Sequence, residues 1–376
     1  MRVLAVFGTR PEAIKMSPLI LQMKSLPTRF KPIVCATGQQ KQMLRQVLDT
    51  FGIRPDYDLA VMRPNQTLTG MTARILKGVD SVMSKENPDL VMVQGDTTSA
   101  FVAALVAFYH QVVVAHIEAG LRTGNLEHPF PEELNRTLID RFARFCFAPT
   151  ELNRRTLLRE GVPSEQIFVT GNTGIDALLL IRERMKERAA VSPRDWGEAT
   201  EAIKDRTRPI ILITAHRRES FGARLEAIFG AIRNLAGRHK NWSFVYPVHL
   251  NPNVCKPAVE LLSGLGNVHL IEPLAYESFV FLLDRASLIL TDSGGIQEEA
   301  PSLGKPVIVM RETTERQEAL NAGTVMLAGN SGRGLEELVE RMMVMRRKHV
   351  RRNNPYGDGY AAQRILDVIW QRMGRY

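Results

Sequence analysis

Short runs of apolar residues recur along the chain, each followed by a polar or glycine-rich turn and then by a segment with helical periodicity. In the first half they lie at residues 3–7, 33–37, 90–94, 112–115, 145–148 and 167–170. Because the runs lack alternating polar residues, they predict parallel strands buried on both faces. The segments between them predict crossover helices, so this half is expected to form an open α/β sheet.

The second half repeats the arrangement, with apolar runs at residues 210–214, 244–248, 268–271, 288–291, 307–310 and 325–328. A polar helical stretch over residues 176–206 opens this half. We therefore predict two doubly wound domains facing a cleft, residues 1–171 and 172–358, and a C-terminal helix within residues 359–376. In open sheets ligands bind beyond the carboxyl ends of the strands, so the turns after the strands are the candidate site.

Composition excludes several classes of protein. With 44% hydrophobic and 24% charged residues, the 376-residue chain is neither disordered, collagen-like nor a disulfide scaffold. Its longest apolar stretch, residues 100–109, is too short to span a bilayer, and its N-terminus does not resemble a targeting signal. Cys35, Cys146 and Cys255 have neither metal-site nor disulfide spacing, which favours a reducing cytoplasm.

The net charge of +9 suits an anionic partner, but it does not choose between nucleic acid, a phosphorylated metabolite and a membrane surface. Much of the excess lies in a basic segment, residues 346–352, which has no interleaved aromatic residues for stacking on nucleic-acid bases. This segment fits either a solvated helix face or a functional basic patch.

The turn after the first strand, GTRPEAIK, carries two basic residues, Arg10 and Lys15. A tight glycine turn that leads into a helix N-terminus favours an anion, although a plain strand–helix turn with exposed basic residues explains the same pattern. The turn matches neither the P-loop nor the dinucleotide-binding fingerprint.

Three acidic residues follow strands or open a helix in the first half. Asp96 follows one predicted strand and Glu118 the next, so both are expected at one sheet edge, where two carboxyls can divide acid and base roles. Asp96 fits equally as a helix cap. Glu132 either points into the cleft or stands at the start of its helix because the helix dipole favours an acidic residue there.

In the second half, His216 and Arg217 directly follow a strand, which favours a nearby anion, and His249 has a similar placement. The strongest local signal is a strand followed by Ser293, Gly294 and Gly295 and then by a helix. Bare backbone amides and a hydroxyl at a helix N-terminus suit a phosphate or diphosphate. Glu299, one turn into the helix, suits ribose hydroxyls, and Arg316 follows the next strand.

With these residues in view, the chain resembles the non-hydrolysing UDP-N-acetylglucosamine 2-epimerases over essentially its whole length. The resemblance rests on motifs that occur in order: FGTRPEAIK, GDTTS, HIEAGLRTGN, PFPEELNR, TGNTGIDAL, TAHRRESFG, YPVHLNPNV, LTDSGGIQEEAPSLGKPV and NPYGDG. It implies the GT-B architecture, with the C-terminal helix returning to the N-terminal domain. It also implies reversible conversion of UDP-GlcNAc to UDP-ManNAc by elimination of UDP to 2-acetamidoglucal and re-addition, without cofactor or metal.

The resemblance assigns roles to individual residues. The catalytic group matches Asp96, Glu118, Glu132 and His216. The nucleotide-binding positions match Arg10, Lys15, Leu274, Phe279, Ser293, Gly294, Gly295, Glu299 and Arg316. A regulatory UDP-GlcNAc site matches Gln39, Gln42, Glu132, Arg217 and His249. The chain departs from the family at Leu274, where some relatives have Gln near the uracil, and at Asn65, which stands in place of an arginine.

Further expectations follow from the resemblance: a cytoplasmic homodimer that binds neither nucleic acid nor membrane and supplies ManNAc units for cell-surface polysaccharide. A GT-B glycosyltransferase would share the diphosphate cradle but would not explain the acidic residues of the first half. Hydrolysing epimerases have turns that resemble GTRADYG and GDR, whereas the corresponding turns of this chain are GTRPEAIK and GDTTS. A nucleotide-sugar sensor would keep the cradle and need none of those acidic residues.

Overall fold

The computed structural model describes residues 1–39, 41–191, 197–205, 207–329, 332–345 and 354–374, and it is an α/β protein with two parallel sheets, as predicted. Two compact units divide the chain: Met1–Ala177 together with Tyr356–Tyr376, and Leu178–Pro355. The domain limits predicted at residues 171 and 358 stay a prediction. The basic segment at residues 346–352 lies outside the described residues.

The first unit is built on seven parallel strands: β1 (Arg2–Phe7), β2 (Lys31–Ala36), β3 (Tyr57–Asp58), β4 (Leu90–Gln94), β5 (Val113–Ile117), β6 (Phe145–Ala148) and β7 (Ile167–Val169). Their order is β3-β2-β1-β4-β5-β6-β7, so it reverses between β1 and β4. Ligands in doubly wound sheets bind at such a switch point. Six strands coincide with predicted runs to within about two residues at each end, whereas the short β3 is absent from the prediction.

Helices cover both faces of this sheet: α1 (Arg10–Ser25), α2 (Lys41–Phe51), α3 (Leu68–Glu86), α4 (Thr98–Tyr109), α5 (Glu132–Phe142) and α6 (Glu151–Arg159). The central parts of β1 and β4 are apolar, and Val3, Leu4, Val91 and Val93 are fully buried. Burial of both faces explains the absence of polar alternation along these strands.

Helix α7 (Thr173–Val191) begins in the first unit and continues into the second. The second unit contains strands β8 (Ile210–Thr214), β9 (Ser243–Pro247), β10 (Val268–Ile271), β11 (Leu288–Thr291), β12 (Val307–Val309) and β13 (Val325–Leu327). Its helices are α8 (Glu198–Ala202), α9 (Ala223–Arg238), α10 (Pro252–Leu262), α11 (Tyr276–Arg285), α12 (Gly294–Glu299), α13 (Gln317–Asn321) and α14 (Gly332–Met345). The strand order β10-β9-β8-β11-β12-β13 places this switch point between β8 and β11.

The last described helix, α15 (Ala361–Met373), belongs to the first unit. Asp176 of α7 caps it, because its carboxylate accepts from the backbone N–H of Ala362 at 2.8 Å and of Ala361 at 3.3 Å. Trp370 packs its ring edge against Phe30, with centroids 5.8 Å apart. Within the described ranges, no helix has the length and apolar content needed to cross a bilayer.

Candidate active site

Glu118 lies at the carboxyl edge of the first sheet, immediately after β5, with a left-handed backbone conformation at φ 71°. Both of its carboxylate oxygens lie 2.6 Å from Nζ of Lys15 in α1, and the Gln94 side chain donates to Oε2. The Glu118 side chain is only 9% exposed. Two residues predicted from separate motifs are therefore brought together, and Lys15 balances the charge of the buried carboxylate.

Asp96 follows β4 in the same sheet edge and forms an ion pair with Arg136 of α5. The Asn135 side chain also donates to the Asp96 carbonyl, at 2.9 Å. Burial raises the pKa of Asp96; Arg136 opposes this shift and the Glu118 charge adds to it, so the pKa stays above its ordinary value. The alternative in which Asp96 caps a helix is wrong, because Thr97 caps α4 by accepting from the N–H of Ala100.

The surroundings of these two carboxyls differ in a way that suits proton transfer. Glu118 faces the ammonium group of Lys15 at 2.6 Å, whereas burial raises the pKa of Asp96 in spite of its ion pair with Arg136. Carboxyls whose environments push their proton affinities apart can act as base and acid in one reaction. The first unit thus holds two partly buried carboxyls on neighbouring strand ends at the carboxyl edge of its sheet.

A charged network under this edge was missed by the sequence analysis. The buried His116 of β5 donates from Nε2 to the Gly95 carbonyl at 2.7 Å, and its Nδ1 lies 2.6 Å from Asp140. Asp140 also accepts from Arg122 at 2.8 Å. Burial raises the pKa of Asp140, but His116 and Arg122 outweigh it and the pKa is lowered. The network fixes the Gly95 turn that carries Asp96.

Glu12 of α1 links the turns after β1 and β4. Its Oε2 accepts from the backbone N–H of Gly8 at 3.0 Å and of Thr9 at 2.8 Å, and from the Thr9 hydroxyl at 2.7 Å. Its Oε1 accepts from the Thr97 hydroxyl at 2.7 Å. Burial raises the pKa of Glu12 to about 7 in spite of these hydrogen bonds.

This raised pKa predicts a pH-dependent contribution to stability. Between its ordinary pKa near 4.5 and the folded value near 7, Glu12 is protonated in the folded chain and ionised in the unfolded one. The group therefore favours folding at low pH, and this contribution is lost as the pH rises through about 7. From about pH 4 to pH 8, we expect Glu12→Gln to gain about 3 kcal/mol in unfolding free energy relative to the parent protein.

Guanidinium unfolding at both pH values measures this difference. Glu151→Gln, at a carboxylate of the same unit that is 51% exposed, is the control, and its difference from the parent should stay nearly constant. A Glu12→Gln difference equally independent of pH would show that Glu12 titrates near its ordinary value.

In the second unit, His216 and Asp292 follow the two strands on either side of the switch point, β8 and β11. Asp292 Oδ2 accepts from the backbone N–H of His216 at 2.7 Å and of Arg217 at 2.8 Å. Its Oδ1 lies 3.1 Å from Nδ1 of His216. His249 stacks on the His216 ring, with centroids 5.8 Å apart. Burial and the charge of His216 lower the pKa of His249.

Glu315 gathers three arginines beside this turn. Its carboxylate lies 2.7 Å from Arg311, 3.4 Å from Arg217 and 3.6 Å from Arg316. Burial raises the pKa of Glu315, but these charges outweigh it and lower the pKa to about 2. Arg316 also pairs with the buried Glu298 at 2.5 Å. The cluster holds several guanidinium groups in place, which suits a site for an anion.

The Ser-Gly-Gly turn lies next to this cluster. Ser293 precedes α12 in an extended conformation, and its side chain makes no capping bond to that helix. A Cβ atom at Gly294 would lie 3.2 Å from a terminal nitrogen of Arg316, whereas one at Gly295 would meet nothing within 4 Å. A side chain at Gly294 would therefore require the Arg316 guanidinium to shift by a few tenths of an ångström.

The remaining predicted residues are distributed over both units. Arg10 begins α1, Gln39 accepts from the Ser99 hydroxyl at 3.1 Å, and Glu132 begins α5 one turn before Arg136. Gln42 lies outside the residues whose side chains the structure describes. Leu274 precedes α11, Phe279 lies within it, and Glu299 ends α12. Among the described residues, no group of three or more His, Cys, Asp and Glu side chains is arranged to hold a metal ion.

Comparison with known proteins gives one consistent result. The family model described as UDP-N-acetylglucosamine 2-epimerase matches residues 24–370. The UDP-N-acetylglucosamine 2-epimerase of Yersinia pestis is 51% identical over 376 residues, covering 98% of each chain. The UDP-GlcNAc 2-epimerase of Neisseria meningitidis bound to UDP-GlcNAc has a TM-score of 0.90 and 46% identity, over 99% of this chain and 100% of that one. That of Methanocaldococcus jannaschii, in complex with UDP-GlcNAc and UDP, has a TM-score of 0.81 and 33% identity, with the same coverage.

Proposed function

The chain belongs to the UDP-N-acetylglucosamine 2-epimerase family, and from this membership we propose the reaction that it catalyses. It is an epimerase, which is an isomerase, and its substrates are UDP-GlcNAc and UDP-ManNAc. The observation that carries the proposal is the partly buried pair of carboxyls, Asp96 and Glu118, at the carboxyl edge of the first sheet. Inversion of C2 requires that a proton leave one face and return to the other, and two carboxyls of unlike environment suit that task.

In the proposed mechanism, a base removes the C2 proton while the bond between C1 and the UDP oxygen breaks. The electron pair of the C–H bond forms the C1–C2 double bond of 2-acetamidoglucal, and UDP leaves with the electrons of the C1–O bond. UDP then adds back to C1 as C2 accepts a proton on the opposite face. Asp96, Glu118, Glu132 and His216 supply the acid–base groups, while Lys15 stabilises the charge of Glu118.

Departure of UDP creates negative charge on its diphosphate, which the second unit is proposed to stabilise. Ser293, Gly294 and Gly295 supply backbone amides and a hydroxyl, and Arg316 is held beside them by Glu298. Glu299 is proposed to accept hydrogen bonds from the ribose hydroxyls, while Leu274 and Phe279 are proposed to flank the uracil ring. Arg10, at the start of α1, is a further basic residue proposed to bind the nucleotide. No step of this route transfers an electron to a cofactor.

Deuterium incorporation tests the reaction. Incubation of the protein with UDP-GlcNAc in deuterated water should place deuterium at C2 of both recovered UDP-sugars, as mass spectrometry and NMR would show. Accumulation of free ManNAc and UDP would identify a hydrolysing enzyme instead. Release of UDP only in the presence of a sugar acceptor would identify a glycosyltransferase, and complete absence of turnover would identify a sensor.

Substitution of the proposed cradle should weaken UDP binding. We expect Ser293→Ala and Glu299→Ala each to lower UDP affinity about tenfold or more, because each removes a hydrogen bond to a charged or polar ligand group. Isothermal titration calorimetry measures this effect, with Asp96→Asn as the variant expected to retain UDP affinity. Unchanged affinity in both cradle variants would place the diphosphate elsewhere.

We further propose a regulatory site for UDP-GlcNAc that involves Gln39, Gln42, Glu132, Arg217 and His249. The family arginine that would face this ligand is replaced by Asn65, which has a left-handed backbone at φ 50°. Arg63 does not substitute simply, because its guanidinium donates to the carbonyls of Ala60 and Met62 at 3.1 Å. Activation is therefore proposed to need more UDP-GlcNAc than in relatives that keep the arginine.

Conversion of pure UDP-ManNAc tests this regulation. We expect a lag that traces of UDP-GlcNAc abolish, and Asn65→Arg should lower the UDP-GlcNAc concentration required by roughly tenfold, the effect of a charge-assisted contact. Asn65→Ala is the control. Like Asn65→Arg it removes the side-chain amide and puts another residue at this left-handed position, but it adds no positive charge. A linear rate from the first seconds, unaltered by added UDP-GlcNAc, would show that no such activation operates.

The remaining proposals concern the setting of the enzyme. We propose a homodimer. Helices α4 and α5 pack against each other, and the exposed apolar residues Phe108, Tyr109 and Leu138 on these helices support the proposal. Clustered exposed apolar residues are typical of protein interfaces. A cytoplasmic location and a role in supplying ManNAc units for cell-surface polysaccharide stay predictions.

A further inference from the structure

We propose that Asp292 is a positioning residue that sets the orientation and the tautomer of His216, an inference that rests on the catalytic role proposed for His216 above. The sequence analysis used the turn after β11 for its hydroxyl and its glycines and gave no role to the aspartate in front of them. In the structure this aspartate, and not the serine, contacts the histidine across the switch point of the second sheet.

The contacts of Asp292 fall into two sets. Oδ2 accepts two backbone hydrogen bonds, from His216 and Arg217, at 2.7 and 2.8 Å, and these hold the turn after β8 against β11. Oδ1 is buried and has no aligned hydrogen bond among the described residues, but it lies 3.1 Å from Nδ1 of His216. One oxygen is therefore sufficient to hold the turn, and the other lies within ion-pair distance of the imidazole ring.

A buried carboxylate that faces one ring nitrogen determines which nitrogen carries the proton. Asp292 is 1% exposed, and although burial raises its pKa, the hydrogen bonds and charge of His216 outweigh this and lower it. An ionised carboxylate accepts and cannot donate, so Nδ1 of His216 carries the hydrogen. Nε2 is then the nitrogen that presents a lone pair or, once protonated, a second N–H, and the His216 side chain is 40% exposed.

Asp292→Asn separates these two roles. The asparagine carbonyl replaces Oδ2 as the acceptor for both backbone N–H groups, while its amide nitrogen faces Nδ1 of His216 and donates to it. The ring must then carry its hydrogen on Nε2, the opposite tautomer. In serine proteases the equivalent change lowers kcat by about 10⁴. We expect a loss of kcat of about 10²–10⁴-fold, with UDP affinity within about threefold of the parent.

Nitrogen-15 NMR of the His216 side chain reads the tautomer directly and does not depend on activity. The parent should show protonated Nδ1, and Asp292→Asn should show protonated Nε2. Asp284→Asn is the matched control, because Asp284 pairs with Arg182 at 3.0 Å in the same unit and makes no contact with His216 that the structure describes. It should leave both the spectrum and kcat unchanged.

A double variant separates failure of this inference from failure of the proposed function. If Asp292 acts through His216, then His216→Asn combined with Asp292→Asn should be no slower than His216→Asn alone. Multiplicative losses of kcat in the double variant, or an unchanged tautomer in Asp292→Asn, would overturn the positioning role. Full turnover in His216→Asn would instead remove His216 from the chemistry, while the NMR spectra would still decide whether Asp292 sets its tautomer.

Discussion

Replacing Glu118 by Gln is expected to lower turnover by a factor of about 10²–10⁴, the range for loss of a general acid–base group. The substitution keeps the size of the side chain but removes the charge that lies 2.6 Å from Lys15. It also leaves the Lys15 ammonium beside a neutral amide at a buried site. Asp96→Asn should have a comparable effect, because it removes the other carboxyl of the pair.

Both variants should bind UDP with nearly the parent affinity, since the Ser-Gly-Gly turn and Arg316, which are proposed to hold the diphosphate, belong to the second unit. Steady-state conversion of UDP-GlcNAc and calorimetric titration with UDP provide the two measurements. Glu86→Gln is the control, because Glu86 pairs with Arg2 in the same unit and follows no strand of the sheet. Turnover within about tenfold of the parent in both Glu118→Gln and Asp96→Asn would exclude this pair from proton transfer.

Asp140→Asn is expected to lower the free energy of unfolding by about 3–5 kcal/mol, the cost of removing one partner from a buried ion pair. His116 and Asp140 are both fully buried, and Arg122 is 10% exposed, so the two basic side chains would remain without their shared carboxylate. The loss should also disturb the Gly95 turn, whose carbonyl His116 holds at 2.7 Å.

The first unit contains its own matched control for this prediction. His110 and Asp80 form a second histidine–aspartate pair at 2.7 Å, but their side chains are 28% and 57% exposed. Asp80→Asn should therefore cost less than about 1 kcal/mol, as exposed pairs do. Guanidinium unfolding of both variants measures the contrast. Equal destabilisation within about 1 kcal/mol would show that burial does not control the strength of these pairs.

The fold could be predicted largely because its strands are buried on both faces. A continuous apolar run such as Leu90–Gln94 is a local signal that needs no knowledge of partners. Strand β3 lacks that signal: it has two residues, Tyr57 and Asp58, and pairs only at the sheet edge with β2. Its backbone pairing depends on β2 rather than on its own side chains, so no pattern in residues 57–58 could predict it.

The candidate site could be predicted only where motifs and strand ends coincide. Asp96 and Glu118 were predicted in this way, and in the structure they lie close enough for the charge of Glu118 to raise the pKa of Asp96. Their partners Arg136 and Gln94, and the network of His116 and Asp140, depend on side chains that are distant in sequence. Asp292 lies in a motif that the sequence analysis singled out, but its contact with His216 depends on the pairing of β8 with β11.

Helix α15 belongs to the first unit but follows the second unit in the chain, so the first unit is completed last during synthesis. Residues 1–177 of the first unit leave the ribosome first and the second unit follows, so the first unit lacks α15 until the second unit has been synthesised. Domains generally fold as units as they emerge. Until α15 follows, Phe30 lacks the Trp370 ring and the Asp176 carboxylate lacks the helix N-terminus that it caps. The second unit is thus expected to be complete before the first, although the sheet and the two carboxyls of the first unit are synthesised earlier.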